Sequence, residues 1–231
     1  MRILLGWIPV LLFAQGWDTG GWRAPISKAF PQVCWQIEDN QLRPVPGKVM
    51  LDLWSVKEYR DFDLSFEFKL DPGANGGIKY MVQSGGAWRE RGGKWFKAEG
   101  MQPEPGDTYQ EGTNGLEFQV VDDATKEAQN PKRRSGAMYS LVAPTDPPPI
   151  GPGVWHTGRI VVQGDRIAHY LNGKQVVAVT LGSPAMESAW DACERKDIQR
   201  LRALAKRESP IAITHHGTSV WYRNLRIKAG K

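Results

Sequence analysis

The stretch that most restricts the fold runs from Phe62 to Leu70. Phe62, Leu64, Phe66, Phe68 and Leu70 alternate without a break with Asp63, Ser65, Glu67 and Lys69. A helix returns its apolar face every three or four residues. A strict period of two therefore specifies a strand with one face on a core and the other toward water. Such a strand cannot stand alone, because its apolar side needs a second layer to cover it.

Gly115 to Asp123 keeps the same rhythm, with Leu116, Phe118 and Val120 against Glu117, Gln119 and Val121. Side chains two apart on a strand point the same way, roughly 7 Å apart, so Glu117 and Gln119 can reach one small ligand. A solvated strand face is the other reading of the same residues. Further short strands are expected at Cys34–Glu38, Gln41–Val45, Leu51–Ser55, Ile78–Gln83 and Gly136–Val142. Three more follow in a meander from Val154 to Leu181, and two close the chain, Pro210–Thr214 and Val220–Lys228. Asp39-Asn40, Gly164-Asp165 and Asn172-Gly173 are two-residue hairpin signals. Residues 84–114 show no period and read as a long loop. Its Trp88, Trp95, Phe96 and Tyr109 either stack on a sugar or pin the loop to the body. Ala143 to Gly153 holds five prolines and excludes regular structure. One helix is expected, capped at Ser183-Pro184 and running to about Arg207 on Met186, Trp190, Cys193, Ile198, Leu201 and Leu204. Many short strands and one late helix describe an all-β sandwich of two antiparallel sheets.

Residues 1–16 have the form of a secretory signal: Arg2, an apolar run from Ile3 to Phe13, then Ala14-Gln15-Gly16. A secreted or periplasmic protein is expected, with a single domain over 17–231. No stretch is long enough for a membrane span. The net charge of +5 is dispersed along the chain, which argues against nucleic acid as a partner. Export permits a Cys34–Cys193 disulfide; two buried thiols are the equal alternative.

A set of motifs resembles the 3-keto-disaccharide hydrolase family. They are Lys57–Leu64, Asn75-Gly76-Gly77-Ile78-Lys79-Tyr80, Gly115–Asp123, Ser135–Tyr139, Gly153–His156 with Arg159–Val162, His169–Gly173, and His216-Gly217 with Val220–Asn224. No single piece is specific; their order is. The resemblance implies a concanavalin A-like jelly roll whose open sheet face lines a groove for a carbohydrate substrate. Three positions depart from the family pattern: Gly76 stands where serine is usual, and Thr214 and His215 make Thr214-His215-His216-Gly217 where Gln-Asp-His-Gly is common; the Arg/Lys-rich segment from Cys193 to Arg207 is unusual as well.

Carried onto this chain, the resemblance implies Glu117, His216 and Lys79 as catalytic groups. Gln119, Asn75, Glu67, Asp122 and His215 are the expected substrate contacts. A ketone at C3 acidifies the C2 hydrogen. A base, His216 or Glu117, removes it, Lys79 stabilises the enolate oxygen, the C1 group leaves and water adds. An ordinary glycosidase needs two carboxyls, and Glu67 is the candidate partner for Glu117. The structural alternatives are a cross-strand Lys79–Glu117 ion pair, turn roles for His215 and His216, and a packing role for His169. No cofactor is required. Zinc is not expected, since HxH and HExxH spacings are missing. Calcium is a candidate at Asp122 and Asp123, although two acids do not specify a site. A non-catalytic carbohydrate-binding module on the same scaffold is the competing function.

Overall fold

A computed structural model describes residues 17–98 and 106–230. The expected signal at 1–16 lies outside the described residues. The elements run in the order β1 (Trp22–Arg23), β2 (Trp35–Glu38), β3 (Gln41–Pro44), β4 (Val49–Leu51), β5 (Leu53–Tyr59), β6 (Phe62–Leu70), β7 (Asn75–Arg91), β8 (Lys94–Lys97) and β9 (Thr108–Val121). They continue with β10 (Trp155–Gln163), β11 (Arg166–Leu171), β12 (Lys174–Thr180), α1 (Pro184–Asp191), α2 (Lys196–Gln199), β13 (Ser209–Ile213) and β14 (Val220–Ala229).

Two sheets form. One has the order β1-β5-β13-β7-β9-β4, with β8 added to β7; the other runs β12-β11-β10-β6-β14-β3-β2. The β4–β9 pair is parallel. The core lies between the sheets, where the alternation of β6 puts all five of its apolar side chains into the interior. The sheets interlock through rings: Phe66 of β6 meets Phe118 of β9 edge to face at 5.4 Å, and Phe62 meets Tyr80 of β7 at 6.1 Å. His169 bridges the layers. Its Nε2 lies 2.8 Å from the Tyr80 hydroxyl and its Nδ1 3.0 Å from the Gly136 carbonyl, so it packs and bonds inside the core.

The hairpin signals hold. Asp39 and Asn40 both take positive φ (48° and 59°), as do Asn172 and Gly173 (49° and 80°), the geometry of type I′ turns. Three expectations are corrected. Residues 84–114 are not a structureless loop, because β7 continues to Arg91, β8 returns along it, and β9 begins at Thr108. The apolar rhythm is broken there by Gly86, which leaves room for the Trp88 ring; a Cβ on Gly86 would stand 2.5 Å from that ring. Gly136–Val142 forms turns with isolated bridges instead of a strand, bonding to the free edge of β9 through Gly136 N to Gln119 O and Tyr139 N to Glu117 O. The late helix is broken into α1, α2 and a 3-10 turn, Arg200–Ala203. From Cys193 to Ile198 the apolar spacing is five residues, about 140° out of phase on a continuous helix. The break lets Trp190, Cys193, Ile198 and Leu201 all be buried. Both cysteines are buried and free, so no disulfide joins them.

Candidate functional site

The central strands of the first sheet bring Lys79 and Glu117 directly opposite one another across β7 and β9. Lys79 Nζ lies 3.7 Å from Glu117 Oε2 and donates to the Thr113 carbonyl at 2.8 Å. The face that the alternation marked as open is covered: Glu117 and Gln119 are 5% and 2% exposed. The α2 helix and the turn after it lie against β9, adding a layer that strand periodicity does not reveal. Burial raises the Glu117 pKa; Lys79 opposes that shift and Asp52 adds to it. The Glu117 Oε1 atom is buried with no hydrogen-bond partner. It occupies space that Gly77 leaves open, since a Cβ there would stand 2.4 Å from Oε1 and 2.8 Å from the Phe118 carbonyl.

Asp52, which the sequence reading passed over, belongs to the same cluster. It sits between β4 and β5, buried, and its Oδ1 accepts the backbone N–H of His215 at 2.8 Å. Burial raises its pKa too, and Lys79 is the largest opposing influence. One ammonium thus stands against two buried carboxyls. A lone acid in the apolar run Leu51-Asp52-Leu53-Trp54 was the available signal, because an unpaired buried acid is costly.

The turn after β13 carries the two histidines, and their roles separate. His215 is fully buried. Its Nε2 donates to the Cys34 carbonyl at 3.1 Å and its Nδ1 accepts from Gly217 N–H at 3.1 Å. Both ring nitrogens are used inside the protein, which corrects the expectation that His215 touches substrate. His216 is exposed, and its ring has no hydrogen-bond partner among the described residues. Desolvation by the protein massed around it, then the charges of Lys79, His215 and Arg195, hold its pKa below the usual imidazole value. An imidazole with a lowered pKa is neutral at neutral pH, the form that can accept a proton.

Gln119 Nε2 donates to Asn75 Oδ1 at 2.9 Å, joining the two expected amides across the sheet. Asn75 is half-buried, and its backbone is clamped by Thr218 on both sides. Arg195, at the start of α2, lies close enough to Glu117 and His216 to influence both, and donates to the Tyr139 hydroxyl at 3.1 Å.

Two expected contacts lie elsewhere. Glu67 projects from β6 in the other sheet, where it pairs with Arg223 and Asn224. Alternation specifies inside or outside but not which sheet, and Glu67 faces away from Glu117. Asp122 is buried at the end of β9, accepting from Gly73 N and Ala124 N to tie two turns. Asp123 is likewise committed to Arg134 and Ile150 N. Among the described residues, no three His, Cys, Asp or Glu side chains are grouped as a metal site requires. No helix among them is long and apolar enough to cross a membrane.

The sequence pattern of the 3-keto-alpha-glucoside-1,2-lyase-like domain matches residues 6–228. The chain belongs to this family. A relative from Bacteroides thetaiotaomicron, named a 3-keto-disaccharide hydrolase, is 24% identical to this family member over 190 residues. That match covers 77% of this chain, which spans 61% of the relative's length. A solved structure from Parabacteroides distasonis, provisionally named a glycosyl hydrolase, superposes with a TM-score of 0.71 at 20% identity, covering 94% of this chain and 92% of the other. A second from the same organism gives 0.61 at 23% identity, covering 90% and 99%. These likenesses show the shared sandwich fold.

Proposed function

We propose that this lyase-like family member cleaves 3-keto-glycosides by removing the C2 proton and eliminating the C1 substituent, with water adding afterwards. The observation that carries the reading is His216, an exposed imidazole with no hydrogen-bond partner among the described residues, on the turn after β13, the strand whose Ala212 pairs with Lys79. The family's name and that of the Bacteroides relative support a keto-sugar substrate in this reading.

In this reading His216 takes the C2 proton. The C–H electron pair becomes the C2=C3 double bond, and negative charge moves to the C3 oxygen. The Lys79 ammonium is the fixed positive charge for that oxygen. The ketone then re-forms, the electrons shift to C1=C2, and the C1–O bond breaks toward the departing oxygen. That oxygen takes a proton from the imidazolium. Water added across C1=C2 gives the free 3-keto sugar. Asn75, anchored by Gln119, is placed to orient a sugar hydroxyl.

Glu117 stood level with His216 as the expected base. Its burial favours a different role, holding Lys79 in place and setting its charge balance. A two-carboxylate glycosidase route loses support as well, because Glu67 is on the other sheet and both Asp52 and Glu117 are buried around Lys79. The competing reading, a carbohydrate-binding module, predicts binding without turnover.

The test is His216→Ala, assayed on a 3-keto-disaccharide with and without added imidazole. Loss of a general base lowers turnover by roughly a hundredfold or more, with partial rescue by imidazole. Unchanged turnover in a folded variant would overturn the assignment.

A further inference from the structure

The outer face of the second sheet, on the far side of the core from Lys79, holds a cavity of about 330 Å³. Ser65 and Glu67 of β6, Thr157 of β10, Tyr170 of β11, and Asn224 and Arg226 of β14 line it. Its volume lies within the range of small-ligand pockets. The sheet is irregular beneath it. The register of β14 against β6 slips between Arg223 and Arg226, and Asn224 takes a φ of +52° in mid-strand. Bulges of this kind re-aim side chains and concentrate beside functional sites.

The bulge gives the wall a fixed arrangement. Asn224 Nδ2 donates to Glu67 Oε1 at 2.8 Å, and Arg223 Nε donates to Glu67 Oε2 at 2.7 Å. Arg223 is stacked 4.0 Å over the Trp155 ring. Beside it, Arg159 makes two 2.7 Å bonds to Asp63 and lies 5.1 Å over the Tyr170 ring. The charges of Glu67 and Arg223, and of Asp63 and Arg159, therefore cancel in pairs. The hydroxyls of Ser65, Thr157 and Tyr170 and the Arg226 guanidinium have no hydrogen-bond partner among the described residues.

These groups select an occupant. An apolar ligand would strand a wall of polar groups. Glu67 is the one carboxylate in the wall, and it offers a hydroxyl an acceptor that a phosphate could not use. What remains is an uncharged molecule with many hydroxyls, able both to donate to Glu67 and to accept from Arg226, with a face that lies on an aromatic ring. We infer that this cavity is a second saccharide site, binding a neutral pyranose independently of the Lys79 cluster. It holds substrate or a connected glycan without chemistry, since neither Lys79 nor His216 is on this sheet.

The experiment is calorimetric titration of the whole protein with maltose, cellobiose and trehalose as neutral probes and glucuronic acid as the charged one. It uses wild type, His216→Ala, and the double variant Tyr170→Ala/Arg226→Ala, with each fold checked by circular dichroism. Binding of a neutral probe that survives His216→Ala and weakens at least tenfold in the double variant supports the site. Binding of no neutral probe, binding untouched by the double variant, binding abolished by His216→Ala, or preference for glucuronic acid overturns it. If the double variant misfolds, Thr157→Val is the substitute, and binding unchanged in that variant also overturns the site.

Discussion

Replacing Lys79 with methionine exposes what the cluster costs. In the native protein its ammonium stands 3.7 Å from Glu117 Oε2 and is the largest favourable influence on the Asp52 carboxylate. At an effective dielectric near 20, unit charges at that separation attract by about 4 kcal/mol. Desolvation of the ions offsets much of this, so the pair itself adds little net stability. Removing the cation leaves the desolvation cost unopposed, and the expected loss is about 3–5 kcal/mol at about pH 8. The pH dependence has a definite sign. Burial already raises both carboxyl pKa values, and losing Lys79 raises them further. A carboxyl whose folded pKa lies above its unfolded value destabilises the fold as pH rises through the folded pKa, and costs nothing below the unfolded value near 4. The deficit of Lys79→Met therefore shrinks toward about pH 4 and grows toward about pH 8. Urea unfolding of both proteins at those two pH values measures it. Equal stability at the higher pH, or a deficit that does not change with pH, refutes the reasoning.

Gly77→Ala places a methyl 2.4 Å from Glu117 Oε1 and 2.8 Å from the Phe118 carbonyl, and the backbone cannot yield as a side chain can. A loss of about 1–3 kcal/mol is expected, with turnover reduced further because Glu117 is displaced from Lys79. A variant with wild-type stability and turnover would show that the close approach is inconsequential. Acid should destabilise the protein through its buried histidines. Burial pushes His169 and His215 down to about 4, below the value near 6.5 of the unfolded chain, so unfolding takes up protons between those values. Stability is full above about pH 6.5 and falls as pH drops toward 4. The double variant His169→Gln/His215→Gln, followed by denaturant titration, should show a flatter acid limb. An unchanged limb assigns the acid sensitivity to other groups.

The parts of this protein legible in its sequence are those set by local chemistry. The β6 alternation and the paired positive-φ residues at Asp39-Asn40 and Asn172-Gly173 dictate their own geometry. What could not be read depends on partners distant in the chain. Glu67 and Glu117 carry the same signal, an acid on the polar side of an alternating strand, yet they end on opposite sheets. Glu117 sits on a nominally open face, yet it is buried on a strand against which α2 and the turn after it pack. Asp52 entered the cluster through a bond to His215, 163 residues away. His215 and His216 are adjacent on one turn, and the partners at Cys34 and Gly217 that hold His215 inside lie beyond what local pattern shows.

Cleavage by C2 chemistry driven by the ketone is tested most directly by the deuterium content of the released sugar. The protein is incubated in heavy water with a 3-keto-disaccharide and, alongside it, the unoxidised parent. Elimination followed by water addition predicts that the freed 3-keto sugar carries deuterium at C2 beyond the enzyme-free control, while the parent is not cleaved. Cleavage that leaves C2 protonated from the substrate, or equal rates on the two sugars, would contradict the account.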